Sequence, residues 1–323
     1  MNAIEATEYG DSEVLETVDR ERPEPGPGEV RIDVGAAGLN FADVMQRRGE
    51  YLGGPEPPFV PGMEVAGTVD AVGEGVGRSE GERVVGMLGG GGYAEYAVAD
   101  AESLLPVPDG MSTEEAAGMP VQYLTAHACL FEWGGLEAGE RVLIQAAAGG
   151  VGTAAVQLAA RAGAEVFGTA STPEKLALAE RLGCDHPIRY TEEAFDEVVL
   201  DETDGEGVDL VLESVGGETF SRSLDALAPM GRLVAFGAAS GEPGRVDSVR
   251  LLFEAKSVLG FHLGTSMRHA PERVLSALPE LTEGFASGEL EVVLGESFAL
   301  SEAAAAHAHV EDRQSSGKVL LIP

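Results

Sequence analysis

The sequence predicts an α/β protein of two domains: a β-rich module, then a doubly wound parallel sheet. Three observations lead there. Residues 1 to about 100 are dense in glycine, proline and valine and carry short alternating runs such as Glu29-Val30-Arg31-Ile32-Asp33-Val34, the pattern of half-buried antiparallel strands. Beyond residue 140, short apolar runs alternate with helical stretches, as parallel strands and their crossover helices do. A glycine-rich turn joins the first of those runs to a helix. A chain of 323 residues is long enough to give each domain its own core.

Taken in order, Pro23, Pro25 and Pro27 punctuate a loop before the run at 29–34. Gly62 to Val69 leads into another strand, Val72 to Gly77 is a glycine-spaced turn, and Gly89 to Gly92 precedes a strand over Tyr93–Val98. At Thr113 the pattern turns helical, with Ser112 as N-cap and Glu115 completing a capping box. The second domain then reads as strands at Val142–Ile144, Glu165–Ala170, His186–Arg189, Val208–Leu212, Gly231–Gly237 and Val258–Leu263. Helices fall between them at Pro173–Leu182, Ala194–Leu200 and Gly217–Leu227. An alanine-rich helix at Glu302–His309 and a strand at Lys318–Ile322 are expected to return to the first domain. The predicted boundaries are 1–120 with a return of about 265–323 for the β-rich domain, and 121–264 for the parallel sheet.

The stretch from Arg141 to Lys175 organises the second domain. After the apolar run the chain passes through Ala147-x-Gly149-x-x-Gly152, a dinucleotide fingerprint with alanine at its first glycine position. Gly149 lets backbone approach a pyrophosphate, Gly152 lets the helix pack on the strand, and the backbone of Ala148, Gly149, Gly150, Val151 and Gly152 presents N–H groups to the negative charge. Residues 142–160 carry no charge, but Gln145, Gln157, Thr153 and three glycines within the run argue against a membrane span. An NAD site places an acid near the end of the second strand. Here Phe167-Gly168-Thr169-Ala170-Ser171 has none, whereas Ser171 offers a hydroxyl and Lys175, one of three lysines in the chain, a cation. The predicted cofactor is therefore NADP(H). Ser214-Val215-Gly216 and Gly237–Gly241 fall at carboxyl ends of strands, where ligands bind in such sheets, and are expected to line the cofactor cleft.

Lys plus Arg total 21 against 55 Asp plus Glu, a net charge of −34. Such a surface repels nucleic acid and anionic membranes, so neither is an expected partner. An acidic, lysine-poor but 44% hydrophobic composition predicts a globular protein adapted to high salt. Cys129 and Cys184 cannot form a disulfide framework or a cysteine-rich zinc site. The opening MNAIEATEYGDSEVLE has acids and no apolar core, which predicts a cytoplasmic chain.

The order and spacing of Gly38-Leu39-Asn40-Phe41-Ala42-Asp43, Pro61 to Gly67, Gly92-Tyr93-Ala94-Glu95-Tyr96, Tyr123-Leu124-Thr125-Ala126, the Ala146–Gly152 turn and Gly317-Lys318-Val319 resemble the zinc-free quinone oxidoreductases of the medium-chain dehydrogenase/reductase superfamily, the zeta-crystallin-like branch. The resemblance spans essentially the whole chain. It implies a GroES-like catalytic domain, a Rossmann domain, a nicotinamide between them and a homodimer formed through the Rossmann domains. It further implies Asn40 and Thr125 at the nicotinamide end, Gly168, Ser171, Lys175 and Tyr190 around the adenosine phosphate, and Phe236 and Phe261–Leu263 along the cofactor; Lys318 of the closing motif is also expected to bind it. Met45 departs from the pattern, since several relatives carry a tyrosine there.

Zinc-dependent members of the superfamily supply a cysteine and a histidine where this chain has the Leu39-Asn40 stretch and Met63, and no metal is expected. Without a Lewis acid, an activated acceptor such as a quinone or an α,β-unsaturated carbonyl suits hydride transfer, with charge building on a conjugated oxygen. Candidate donors to that oxygen are the Asn40 amide and the Tyr51 hydroxyl; Asp43 reads as a structural partner for backbone or Arg47. The alternatives are an enone or enoyl-thioester reductase, in which Tyr51 donates a proton, and a protein that binds NADPH with little turnover.

Overall fold

The computed structural model describes residues 1–323 and divides into two units, Met1–Val121 with Glu291–Pro323, and Gln122–Leu290. The first unit opens with an antiparallel pair, β1 (Asn2–Ala6) and β2 (Leu15–Asp19). Then come β3 (Glu29–Leu39), helix α1 (Phe41–Arg48), β4 (Glu64–Val72), β5 (Arg83–Met87), β6 (Tyr96–Asp100), β7 (Leu104–Pro106) and α2 (Thr113–Ala117). Alternation in β3 buries Val30, Ile32 and Val34, with Val65, Val69, Val84 and Tyr93 packed in the same core. The capping box at α2 forms as the sequence predicts: Ser112 Oγ accepts the Glu115 N–H at 3.1 Å and Glu115 accepts the Ser112 N–H at 2.7 Å.

In the second unit α3 (Pro120–His127, whose first two residues belong to the first unit) precedes β8 (Arg141–Ile144), α4 (Gly150–Arg161), β9 (Glu165–Ala170), α5 (Pro173–Arg181), β10 (His186–Arg189) and α6 (Phe195–Glu202). The second half holds β11 (Val208–Glu213), α7 (Gly217–Asp225), β12 (Leu227–Ala235), α8 (Ser248–Glu254) and β13 (Ser257–Gly260). All six strands run parallel in the order β10-β9-β8-β11-β12-β13, so the strand order reverses between β8 and β11. A crevice at the carboxyl ends of strands at such a reversal is where doubly wound sheets bind ligands. The uncharged run at 142–160 is thus a strand, a turn and most of a twelve-residue helix; no helix is long and apolar enough to cross a membrane.

The return to the first unit differs from the prediction. Residues 263–287 form α9 (Leu263–His269), α10 (Pro271–Leu275) and α11 (Leu278–Ser287), and stay with the second unit. The cause is packing: Phe285 sets its ring edge-on to Tyr123 at 4.9 Å, Leu281 is buried, and Glu289 pairs with Arg161 at 2.6 Å. The boundary therefore falls at 290/291 instead of about 265. Beyond it, β14 (Leu294–Ala299), α12 (Ala303–Glu311) and β15 (Lys318–Ile322) complete the first unit, giving the order β14-β15-β3-β4-β5-β7 with β6 also on β3. β15 and β4 thus flank β3 on either side, both antiparallel to it.

Candidate active site

In the second unit the phosphate turn follows directly from β8. The left-handed conformation falls on Ala146 (φ 54°), one residue before the fingerprint's first position, and Ala147 beneath it is fully buried. A Cβ at Gly152 would lie 2.1 Å from the Ala146 carbonyl oxygen, so only glycine lets α4 sit this close to the turn. At Gly149 a Cβ would meet nothing nearer than 3.3 Å, which leaves room above the turn. The first intrahelical bond of α4 is Thr153 N–H to Gly149 O at 2.8 Å, and its first turn holds no acid. The helix start is therefore electrostatically suited to a pyrophosphate.

The expected adenosine-side residues come together at the ends of β9 and β10. Ala170 and Arg189 are paired across these strands, so Ser171 and Tyr190 follow them side by side. Lys175 sits in the first turn of α5, and partial burial lowers its ammonium below the usual range. An anion at its head would offset that desolvation. Two neighbours went unpredicted: Arg189 Nε and Thr191 Oγ1 both donate to the Ser171 carbonyl, at 3.4 and 3.2 Å.

Gly168 and Phe261 are both closely packed. Gly168 is buried within β9, where a Cβ would lie 2.8 Å from Cys184 Sγ and 2.9 Å from Ala147 Cβ, so packing alone requires glycine there. Phe261 is only 5% exposed, with its ring edge-on to Trp133 at 4.9 Å, and serves the core. Leu263 opens α9, and Thr125 is buried in α3. Ser214 and Gly237 meet closely, since a Cβ at Gly237 would lie 2.7 Å from the Ser214 carbonyl. Buried Glu213 holds this loop by accepting the N–H groups of Val215 and Gly216 at 2.8 and 2.9 Å.

In the first unit Asn40 is the hub. It follows β3 as N-cap of α1, and its own N–H donates to Asp43 Oδ2 at 2.8 Å. Its Nδ2 donates to Glu64 Oε1 at 2.9 Å and, more distantly, to the Gly38 carbonyl at 3.4 Å. Its Oδ1 accepts from Lys318 Nζ at 2.8 Å. Lys318 is 1% exposed and also pairs with Glu64, so its ammonium donates to both residues. Tyr51 lies in the loop after α1, half-buried; burial, and then the charge of Asp43, raise its hydroxyl and keep it protonated at neutral pH.

Asp43 does bind backbone, as predicted, but not Arg47. Its second partner is Tyr93 Oη at 3.2 Å, while Arg47 is fully buried and pairs with Glu311 at 2.6 Å. Between them stands His307, whose Nδ1 is 3.5 Å from Arg47 Nη1 and whose Nε2 is 3.3 Å from Tyr93 Oη. Arginine only donates, so His307 Nδ1 must accept, Nε2 carries the proton, and Tyr93 is left to donate to Asp43. Burial, reinforced by the Arg47 charge, drops His307 to about 3 and keeps it neutral. Burial pushes Asp43 up to about 7 against its donors, and its Oδ1 has no partner. An unfolded aspartate ionises near 4, so between about pH 4 and pH 7 unfolding releases a proton and stability falls as pH rises. Wild-type protein is expected to lose a few kcal/mol over that interval relative to Asp43→Asn, measured by denaturant titration at fixed salt; parallel curves would contradict a raised Asp43.

The chain matches the alcohol dehydrogenase GroES-like domain family over residues 26–109 and the zinc-binding dehydrogenase family over 150–281. A quinone oxidoreductase from Pseudomonas aeruginosa is 39% identical over 99% of both chains. The chain belongs to the quinone oxidoreductase family of the medium-chain dehydrogenase/reductase superfamily. Two other members bear on its chemistry. The quinone oxidoreductase of Escherichia coli, solved in complex with NADPH, superposes with a TM-score of 0.93 at 34% identity over all of both chains. A 2-haloacrylate reductase from Burkholderia sp is 39% identical, covering 93% of this chain and 92% of its own. Met63 Sδ accepts from Gln46 Nε2 at 3.5 Å, and no three His, Cys, Asp or Glu side chains converge.

Proposed function

We propose that this chain uses NADPH to reduce quinones or related activated carbonyl acceptors without a metal. The observation that carries the reading is the setting of Asn40: a carboxamide held between Glu64 and Lys318 lies in the Leu39-Asn40 stretch that corresponds to the cysteine-bearing motif of zinc-dependent relatives. NADPH, when bound, supplies the hydride. The first turn of α4 suits its pyrophosphate, and Ser171, Lys175 and Tyr190 suit its 2′-phosphate. Asn40 Nδ2 offers hydrogen to the acceptor oxygen as charge develops, and solvent returns one proton per turnover. The NADPH complex of the E. coli relative supports the choice of cofactor.

Reduction of an activated alkene is the second reading, favoured by the Burkholderia 2-haloacrylate reductase and by a Tyr51 hydroxyl that stays protonated. Tyr51→Phe separates the two. A loss of about tenfold or more in kcat for an enone, with quinone turnover within about threefold, assigns Tyr51 as proton donor in ene reduction. Equal losses on both acceptors would set that role aside.

The protein acts as a homodimer, and its net charge of −34 supports adaptation to high salt. The dimer reading is supported by β13, which leaves one edge of the six-stranded sheet unpaired, and by α8 beside it in sequence, where Leu252 and Phe253 are 74% and 83% exposed. Leu252→Asp with Phe253→Asp is expected to give a monomer in sedimentation equilibrium at molar salt. A variant that stays dimeric would remove α8 from the interface.

A further inference from the structure

A buried ion pair is poor evidence for stability, because desolvation offsets most of its attraction. The Glu64–Lys318 pair is 0% and 1% exposed in its side chains. The sheet register puts it where it is. Val319 opposes Leu39 across β15 and β3, so Lys318 falls level with Asn40; Ala37 opposes Val65 across β3 and β4, so Glu64 falls level with Gly38. From flanking strands the two charges therefore converge on the end of β3. A Cβ at Gly38 would lie 2.6 Å from both Glu64 Oε1 and Lys318 Cε, so glycine is what lets them close over the strand.

Both ends of the Asn40 amide are then determined. An ammonium has donors only, so the atom it meets at 2.8 Å must be the amide oxygen, and the atom facing Glu64 must be the nitrogen. One amide hydrogen goes to the carboxylate. The other has only the long contact to the Gly38 carbonyl at 3.4 Å.

We propose that Glu64 and Lys318 are positioning residues for Asn40, fixing its carboxamide so that the second Nδ2 hydrogen is presented to the acceptor oxygen. Lys318 then acts through Asn40 and not by binding the cofactor. This inference rests on the function proposed above. With either charge absent the amide can turn over and offer its oxygen, which repels a developing oxyanion.

The test is the neutral pair Glu64→Gln/Lys318→Met, which leaves no lone buried charge. Expected are a fall in kcat of about tenfold or more and an NADPH Kd within about threefold of wild type. In an Asn40→Ala background the same pair of substitutions should cost less than about threefold, because the residue it acts through is gone. Unchanged kcat, a tenfold weaker NADPH Kd at constant kcat, or losses that multiply in the Asn40→Ala background would each overturn the inference. Should the double variant fail to fold, Glu64→Gln alone keeps the shape and is expected to lower kcat about threefold or more; no change would overturn it equally. A wild-type enzyme that turns over neither quinone nor enone would overturn the proposed function and this inference with it, whereas an active wild type beside an unaffected double variant overturns this inference only.

Discussion

Lys175→Ala is expected to weaken NADPH binding by about 10- to 100-fold and to leave NADH binding within about threefold. Lys175 is partly desolvated in the first turn of α5, and burial lowers its ammonium. A 2′-phosphate beside it would form a charge-assisted contact of about 1.5–3 kcal/mol, which is the stated range in Kd. No acid stands at the end of β9, so an unphosphorylated ribose has no carboxylate to bind and nothing to lose. Isothermal titration with both cofactors at constant high salt reads the ratio directly. Parallel losses for NADPH and NADH would place Lys175 outside the phosphate site and remove its part in cofactor choice.

Asn40→Ala is expected to lower kcat by about 100-fold while NADPH Kd stays within about threefold. Removing one preorganised donor to a developing oxyanion costs on this order. The substitution also strips Glu64 of one donor and Lys318 of one acceptor, though the two keep each other. Asn40→Asp is the sharper control, since it retains size but puts a second carboxylate beside Glu64 and should be at least as inactive. If Asn40→Ala kept near wild-type kcat on quinone, charge on the acceptor would have to be met elsewhere and Tyr51 would become the leading donor.

Much of the fold was legible because its signals are local. The strands His186–Arg189 and Lys318–Ile322 fall as read, the second because Val319–Ile322 is a short apolar run with few other uses. The phosphate turn was legible from glycine spacing, although its strained residue proved to be Ala146, where the fingerprint does not look. The return boundary is not legible because the helices over 263–287 carry no compositional break; Phe285 within them packs on Tyr123, more than a hundred residues earlier.

The polar interior of the first unit was the least legible. Lys318 and Glu64 are 254 positions apart, and Arg47 reaches Glu311 across 264. Neither periodicity nor spacing says which of 55 acids and 21 cations are drawn inside. Asn40 and Asp43 were visible as residues, but sheet register brings Glu64 and Lys318 to Asn40, and Tyr93, the partner of Asp43, lies 50 positions away. One signal was available: Lys318 is a rare lysine opening an otherwise apolar strand, and a lone charge in such a place calls for a buried partner.

The most direct measurement is NADPH oxidation by a small quinone at molar salt, before and after exhaustive chelation, with a simple enone in parallel. Quinone turnover undiminished by the chelator is the predicted result. Activity that disappears on chelation and returns with added zinc would contradict hydride transfer supported by Asn40 alone.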